Sequence, residues 1–139
     1  MCTVSWLPAP GGYTLCFNRD ERHTRGPALP PEHRVAAGRA FLAPYDSDHG
    51  GTWLAVNDAG LTLALLNRYG PRRGTAMGPA RSRGLVILEL IGAGGVTAAL
   101  QALERADLRH TAPFVLVALE PDRPPRLAEW DGTILAMAT

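Results

Sequence analysis

The run Leu61-Thr62-Leu63-Ala64-Leu65-Leu66 is almost unbroken in apolar residues. A strand with one face in water alternates apolar and polar positions, so a run of this kind predicts a strand covered on both faces. Its neighbours must therefore supply two covers, which calls for a layered fold. Residues 52–56 read as the preceding arm of a hairpin turning about Asn57-Asp58-Ala59-Gly60, and polar groups return at Asn67-Arg68-Tyr69. Residues 2–6 and 13–18 alternate apolar and polar around a turn at 8–12 and read as another pair of strands. The proline-rich stretch 24–32 predicts an extended surface loop, followed by short strands near 34–36 and 39–42.

Residues 68–81 read as a flexible loop carrying glycines and prolines. Ser82 is placed to cap a helix running through Leu90, and Gly92 to Gly95 break it. Residues 96–106 predict a second helix with Val96, Ala99, Leu100 and Leu103 on one face. Residues 114–119 read as a buried strand, and 127–130 with 133–137 as a hairpin about Asp131-Gly132. Strands, two helices and strands again, with no linker or repeat, predict an α+β class and one domain over 1–139.

The composition narrows the functions open to such a domain. A net charge of +1 makes no electrostatic case for nucleic acid or an anionic membrane. All 14 basic residues are arginine, which excludes a lysine nucleophile, a Schiff base and a phosphate-loop lysine. Cys2 and Cys16 are too few for a disulfide framework, and no metal-binding cysteine spacing is present. Asp46, Asp48 and His49 imitate a metal cluster but lack the pattern of a calcium loop, so they read as a solvated loop with no metal. Gly92-Ala93-Gly94-Gly95 follows a helix, which argues against a dinucleotide loop. Trp53 and Trp130 read as core residues. The start lacks a secretory pattern, and the apolar stretch 85–91 is far too short to span a bilayer, so the expected location is the cytoplasm.

The residues with most chemical content stand at the start. Cys2 follows the initiator directly, and removal of Met1 would give it a free α-amine beside its own thiol. An α-amine near pKa 7.7 is roughly one-sixth free base at neutral pH, enough to take the proton of a thiol near 8.5. Asn18-Arg19-Asp20-Glu21 closes the second strand and supplies an amide, a cation and carboxylates. A surface ion pair is the plain alternative for Arg19 and Asp20, and Glu21 has Arg22 and Arg25 within reach as partners. Pairing Trp6 with Tyr13 would set Cys2 opposite Phe17 and Cys16 opposite Thr3, with the two cysteines on opposite faces.

Met1-Cys2-Thr3, Asn18-Arg19-Asp20-Glu21, Gly50-Gly51-Thr52-Trp53-Leu54 and Leu66-Asn67 occur in the order seen in the NRDE family, and Ser82-Arg83-Gly84 also matches. The sequence thus resembles that family, also called the transport-and-Golgi-organisation family, and is distantly similar to choloylglycine hydrolases and penicillin V acylases. The resemblance implies an N-terminal-nucleophile hydrolase-like layered αββα fold, incomplete at the C-terminal end of this chain. It implies Cys2 as nucleophile, Arg19 lowering the thiol pKa, Asp20 binding the Cys2 ammonium and Asn67 stabilising the oxyanion. Asn18, Glu21 and Arg68 fall to supporting positions. The acylases separate the arginine and aspartate by two residues, whereas here they are contiguous. The implied activity is hydrolysis of a small amide or ester through an acyl-cysteine, without a cofactor. The family's link to haem handling implies a rival: a non-enzymatic carrier or trafficking factor for a haem-like ligand, with Cys2 or a histidine as axial ligand. The uncovered terminal hairpin further predicts a homodimer or an association-prone monomer.

Overall fold

The computed structural model describes residues 1–69 and 80–138. Strands β1 (Thr3–Ala9) and β2 (Gly12–Asn18) form a two-stranded sheet. Strands β3 (Ala28–Ala36), β4 (Arg39–Asp46), β5 (Leu54–Asn57), β6 (Thr62–Asn67), β7 (Phe114–Leu119), β8 (Arg126–Trp130) and β9 (Leu135–Ala138) follow one another in space as a seven-stranded antiparallel sheet. Helices α1 (Gly84–Leu90) and α2 (Val96–Arg105) interrupt the chain between β6 and β7. They cover one face of the large sheet, and the hairpin β1–β2 lies on the other.

β6 has the two covers its sequence requires. Leu61, Leu63 and Leu65 point to the helices, with Phe114 and Leu116 of β7 beside them, and Leu61, Leu63, Phe114 and Leu116 lose all contact with solvent. Ala64 points the other way, where Val117 and Leu119 complete a smaller cluster under Val4, Trp6, Leu15 and Phe17 of the hairpin. Helix α2 presents Val96, Ala99, Leu100 and Leu103 to the sheet, the predicted face. The carboxylate of Glu120 accepts a hydrogen bond from the Val96 amide at 2.8 Å and so satisfies one donor of its first turn. Buried Asn57 ties β5 to the inter-helix segment: its amide donates to the carbonyls of Ile91 (2.7 Å) and Ala93 (2.8 Å).

Several boundaries differ from expectation, each for a local reason. The first turn is only Pro10-Gly11, because proline presets one central position and Gly11 takes φ 73° at the other. The register moves with it: Trp6 pairs with Leu15, and Cys16 faces Ser5 rather than Thr3. The shift is two residues, an even number, so Cys2 and Cys16 remain on opposite faces. Residues 28–32, expected in a loop, belong to β3, where Pro30 and Pro31 sit at a register shift on an edge strand that needs no amide there. Arg83, not Ser82, precedes the first helical residue, and no side chain caps it. Asp131 accepts the amides of Thr133 and Ile134 at 2.8 Å each, which widens the last turn and starts β9 at Leu135. Of the loop expected over 68–81, residues 70–79 lie outside the described residues.

Candidate active site

A cleft of about 290 Å³ opens where β2, β4, β5 and β6 reach one end of the structure. Cys2 lies one residue beyond the last ladder pair, Thr3 with Asn18, and so stands beside the residues that follow β2. The Asp20 amide lies 3.4 Å from Sγ as donor, and Sγ lies 3.7 Å from the Asp20 carbonyl. Arg19 and Asn67, the latter at the last position of β6, line the same cleft as Cys2. The Asn67 amide donates to the exposed Tyr69 hydroxyl at 3.2 Å. Asp20 is turned to solvent and closely bonds the Met1 ammonium, which raises the pKa of that amine and lowers that of the Asp20 carboxyl.

The floor of the cleft is an ion network around Asp46. Its side chain is only 9% exposed. It binds Arg25 closely, lies 3.7 Å from Arg19, and accepts the amides of Asp48 (3.0 Å) and His49 (3.3 Å). Burial pulls the Asp46 carboxyl up, but the Asp48 amide and the Arg25 guanidinium outweigh it and hold the carboxyl below its usual range. Glu21 joins from the other side, 3.1 Å from Arg25 and 3.8 Å from Arg19. The Arg19 guanidinium also stacks 4.4 Å from the centre of the Trp53 ring, so charge and ring together fix its plane.

Two glycine contacts bring the opposite wall of the cleft into place. A methyl on Gly51 would meet the Gly84 backbone at 2.8 Å, and one on Gly84 would meet the Thr52 amide nitrogen at 2.7 Å. The Thr52 amide donates to the Gly84 carbonyl at 3.2 Å across this approach. The bare contact seats the start of α1 against residues 51–52 and delivers Arg81, Ser82 and Arg83 to the cleft.

A family model, Transport and Golgi organisation 2, matches residues 1–130. The chain belongs to this family. Among solved structures, penicillin V acylase from Agrobacterium tumefaciens is similar at a TM-score of 0.51 and 15% identity. The match covers 79% of this chain and 40% of the acylase chain. No curated protein matches the sequence. The fold is therefore N-terminal-nucleophile hydrolase-like in its layering: a helical layer and two sheets, without a second helical layer among the described residues.

With the Transport and Golgi organisation 2 family established, its ordered motifs acquire physical reasons. Gly50-Gly51-Thr52-Trp53 and Ser82-Arg83-Gly84 are the two sides of the glycine contact, and Trp53 is the half-buried platform for Arg19 rather than a core residue. Trp130 does lie in the core. Other predicted site residues separate. Asn18 is an exposed ladder residue outside the cleft, and Arg68 turns away to a close pair with Glu129. Glu21 takes Arg25 as its partner, not Arg22, and through it belongs to the ion network. Asp46 and His49, expected in a solvated loop, line the cleft; so does Arg25, which the sequence reading had offered only as a partner for Glu21. The signal available for Asp46 was its place beside the Gly50-Gly51-Thr52 motif, whose carbonyl and amide groups fold back onto it.

Proposed function

We propose that this protein hydrolyses a small amide or ester with Cys2 as nucleophile. One observation carries the reading: Cys2, Arg19 and Asn67, far apart in sequence, line one cleft while Asp20 holds the chain's own terminal ammonium. With Met1 attached, the Cys2 nitrogen is a peptide nitrogen and cannot act as a base. After Met1 is removed, the new ammonium belongs to the residue whose thiol contacts the Asp20 backbone, and the Asp20 carboxylate takes it instead. The Cys2 amine takes the thiol proton, and sulfur adds to the carbonyl carbon. Asn67 donates its amide hydrogen to the oxyanion in place of its bond to Tyr69. The C–N or C–O bond then breaks, the leaving group receives the proton from the Cys2 ammonium, and water cleaves the resulting acyl-cysteine.

Intact-mass measurement tests the reading. Native protein should lack Met1 and gain one acyl group from a p-nitrophenyl ester, while Cys2→Ala gains none and Cys16→Ala behaves as the parent. Retained Met1 in active material, or acylation that survives Cys2→Ala, would remove Cys2 as nucleophile. The rival proposal, a carrier for a haem-like ligand, draws on Cys2 and His49 lining one cleft. A haem difference spectrum that shifts in Cys2→Ala or His49→Ala, with no acylation of the parent, would favour it.

A further inference from the structure

The outer face of the large sheet is unevenly covered. The hairpin packs on Ala64, Val117 and Leu119. Beside β2, above β4 and β5, a second cavity of about 420 Å³ remains, within the size of small-ligand sites. Leu42 and Pro44 of β4 and Leu54 and Val56 of β5 floor it, and Tyr13 and Leu15 of β2 form one wall. Side chains on one face of a strand recur every second residue. The β4 residues Leu42, Pro44 and Asp46 therefore share a face, and this row passes from the trough, where Leu42 and Pro44 lie, to the Cys2 cleft, where Asp46 lies.

We propose that the trough takes the unbranched hydrocarbon chain of the acyl group whose carbonyl carbon lies at Cys2, an inference that rests on the acyl-transfer reading of the cleft. The lining selects for hydrocarbon. The Thr62 hydroxyl, its polar side-chain group beside Tyr13, is already engaged by the Tyr13 hydroxyl at 2.7 Å. The walls are stiff, since Tyr13 is tethered and Pro31, Pro44 and Pro121 have little freedom. Leu42 is four residues from Asp46, roughly 13 Å along the strand, so the trough suits an extended chain.

Displacement of cis-parinaric acid from the full chain by butanoate through tetradecanoate tests this, alongside acylation by the matching p-nitrophenyl esters. Each added methylene should tighten binding about three- to fourfold until the trough ends, after which affinity levels off. Val56→Asp, at a half-exposed position, should flatten the series, and Leu42→Asp should do the same from the facing strand. Thr14→Asp, on the opposite face of β2, should leave it unchanged. A series that persists with no acyl-Cys2 upholds the hydrocarbon site while removing the hydrolase. Affinity independent of length, or a Val56→Asp series matching the parent, overturns the proposal. So does a doubled mass in light scattering with no displacement by any acid.

Discussion

The two faces of the seven-stranded sheet are built on different principles. Towards the helices, Leu63, Ile87, Leu103, Phe114 and Leu116 interlock with no solvent exposure, in one cluster that spans both helices and most of the strands. Towards the hairpin, the buried apolar cluster among the described residues is Ala64, Val117 and Leu119, and Val4, Trp6, Leu15 and Phe17 above them are half-covered. The candidate active site belongs to the second region. Its geometry is held by the Asp46 ion network, a cation–ring stack and a bare glycine contact rather than by apolar burial. Folding free energy and site geometry therefore reside in separable parts of the molecule.

The largest expected effect sets the two faces against each other. Phe114→Ala should cost about 3–5 kcal/mol of unfolding free energy in a urea titration. Phe17→Ala, half-covered in the hairpin, should cost about 1 kcal/mol. Equal losses would mean the hairpin is as firmly integrated as the helical face. Next comes Asp46→Asn, which removes charge-assisted bonds from a buried position and should cost about 1.5–3 kcal/mol at neutral pH. The Asp46 carboxyl titrates below its unfolded value in the folded chain. Its contribution is thus complete above about pH 4 and is lost as pH falls through the lower native value. The parent should lose stability on that acid limb more steeply than Asp46→Asn, and parallel acid limbs would remove Asp46 as an anchor.

Legibility in the sequence divides along the same line. Strand β6, strand β7 and the buried face of α2 could be read because period and apolarity record burial directly, and burial is what holds that region together. Cys2 was legible from its place after Met1, the roles of Arg19 and Asn67 came from family resemblance, and the structure brings the three to one cleft. Asp46 and the platform role of Trp53 were not legible. An aspartate in a polar glycine loop looks solvated until the chain folds Arg25 over it, twenty-one residues away in sequence. Glu21 could be paired with Arg25 from the sequence, but its second guanidinium partner, Arg19, reaches it only once residues 19–25 curl around Asp46. Ion networks leave no periodic trace, so a site built from them escapes pattern reading.

A smaller effect tests the glycine contact. Alanine in place of a helical glycine ordinarily gains up to about 1 kcal/mol. At Gly84 the added methyl would press on the Thr52 backbone, 2.7 Å from its nitrogen, and backbone cannot yield as a side chain does. Gly84→Ala should therefore destabilise by about 1–2 kcal/mol despite its better helix propensity. It should also slow Cys2 acylation, because the α1 wall of the cleft moves. Gly94→Ala, where the nearest atom is a side-chain nitrogen at 3.9 Å, should do neither. A stabilised Gly84→Ala protein would show that the two motifs do not depend on bare contact.

The smallest effect on stability, and the sharpest on chemistry, belongs to Asp20. The carboxylate and the terminal ammonium it binds are both exposed, so solvent screens their attraction. The amine pKa is raised in the folded chain, first by its hydrogen bond to Asp20. Any stability it contributes is complete below the unfolded value near 8 and lost as pH rises through the folded one. Asp20→Asn should leave the urea midpoint at neutral pH unchanged within error. The α-amine is a different matter, because its own proton is what Asp20 holds. Labelling by an amine-directed reagent across pH should show a midpoint moved down in Asp20→Asn and moved down less in Glu21→Gln, whose carboxylate acts on the amine only through charge and faces Arg25. If the nucleophile is Cys2 with its own amine as base, the pH midpoint of acylation in Met1-free protein must move down with it. An acylation profile that stays put while the amine midpoint moves would separate the base from the α-amine, and the proton would need another route out of the cleft.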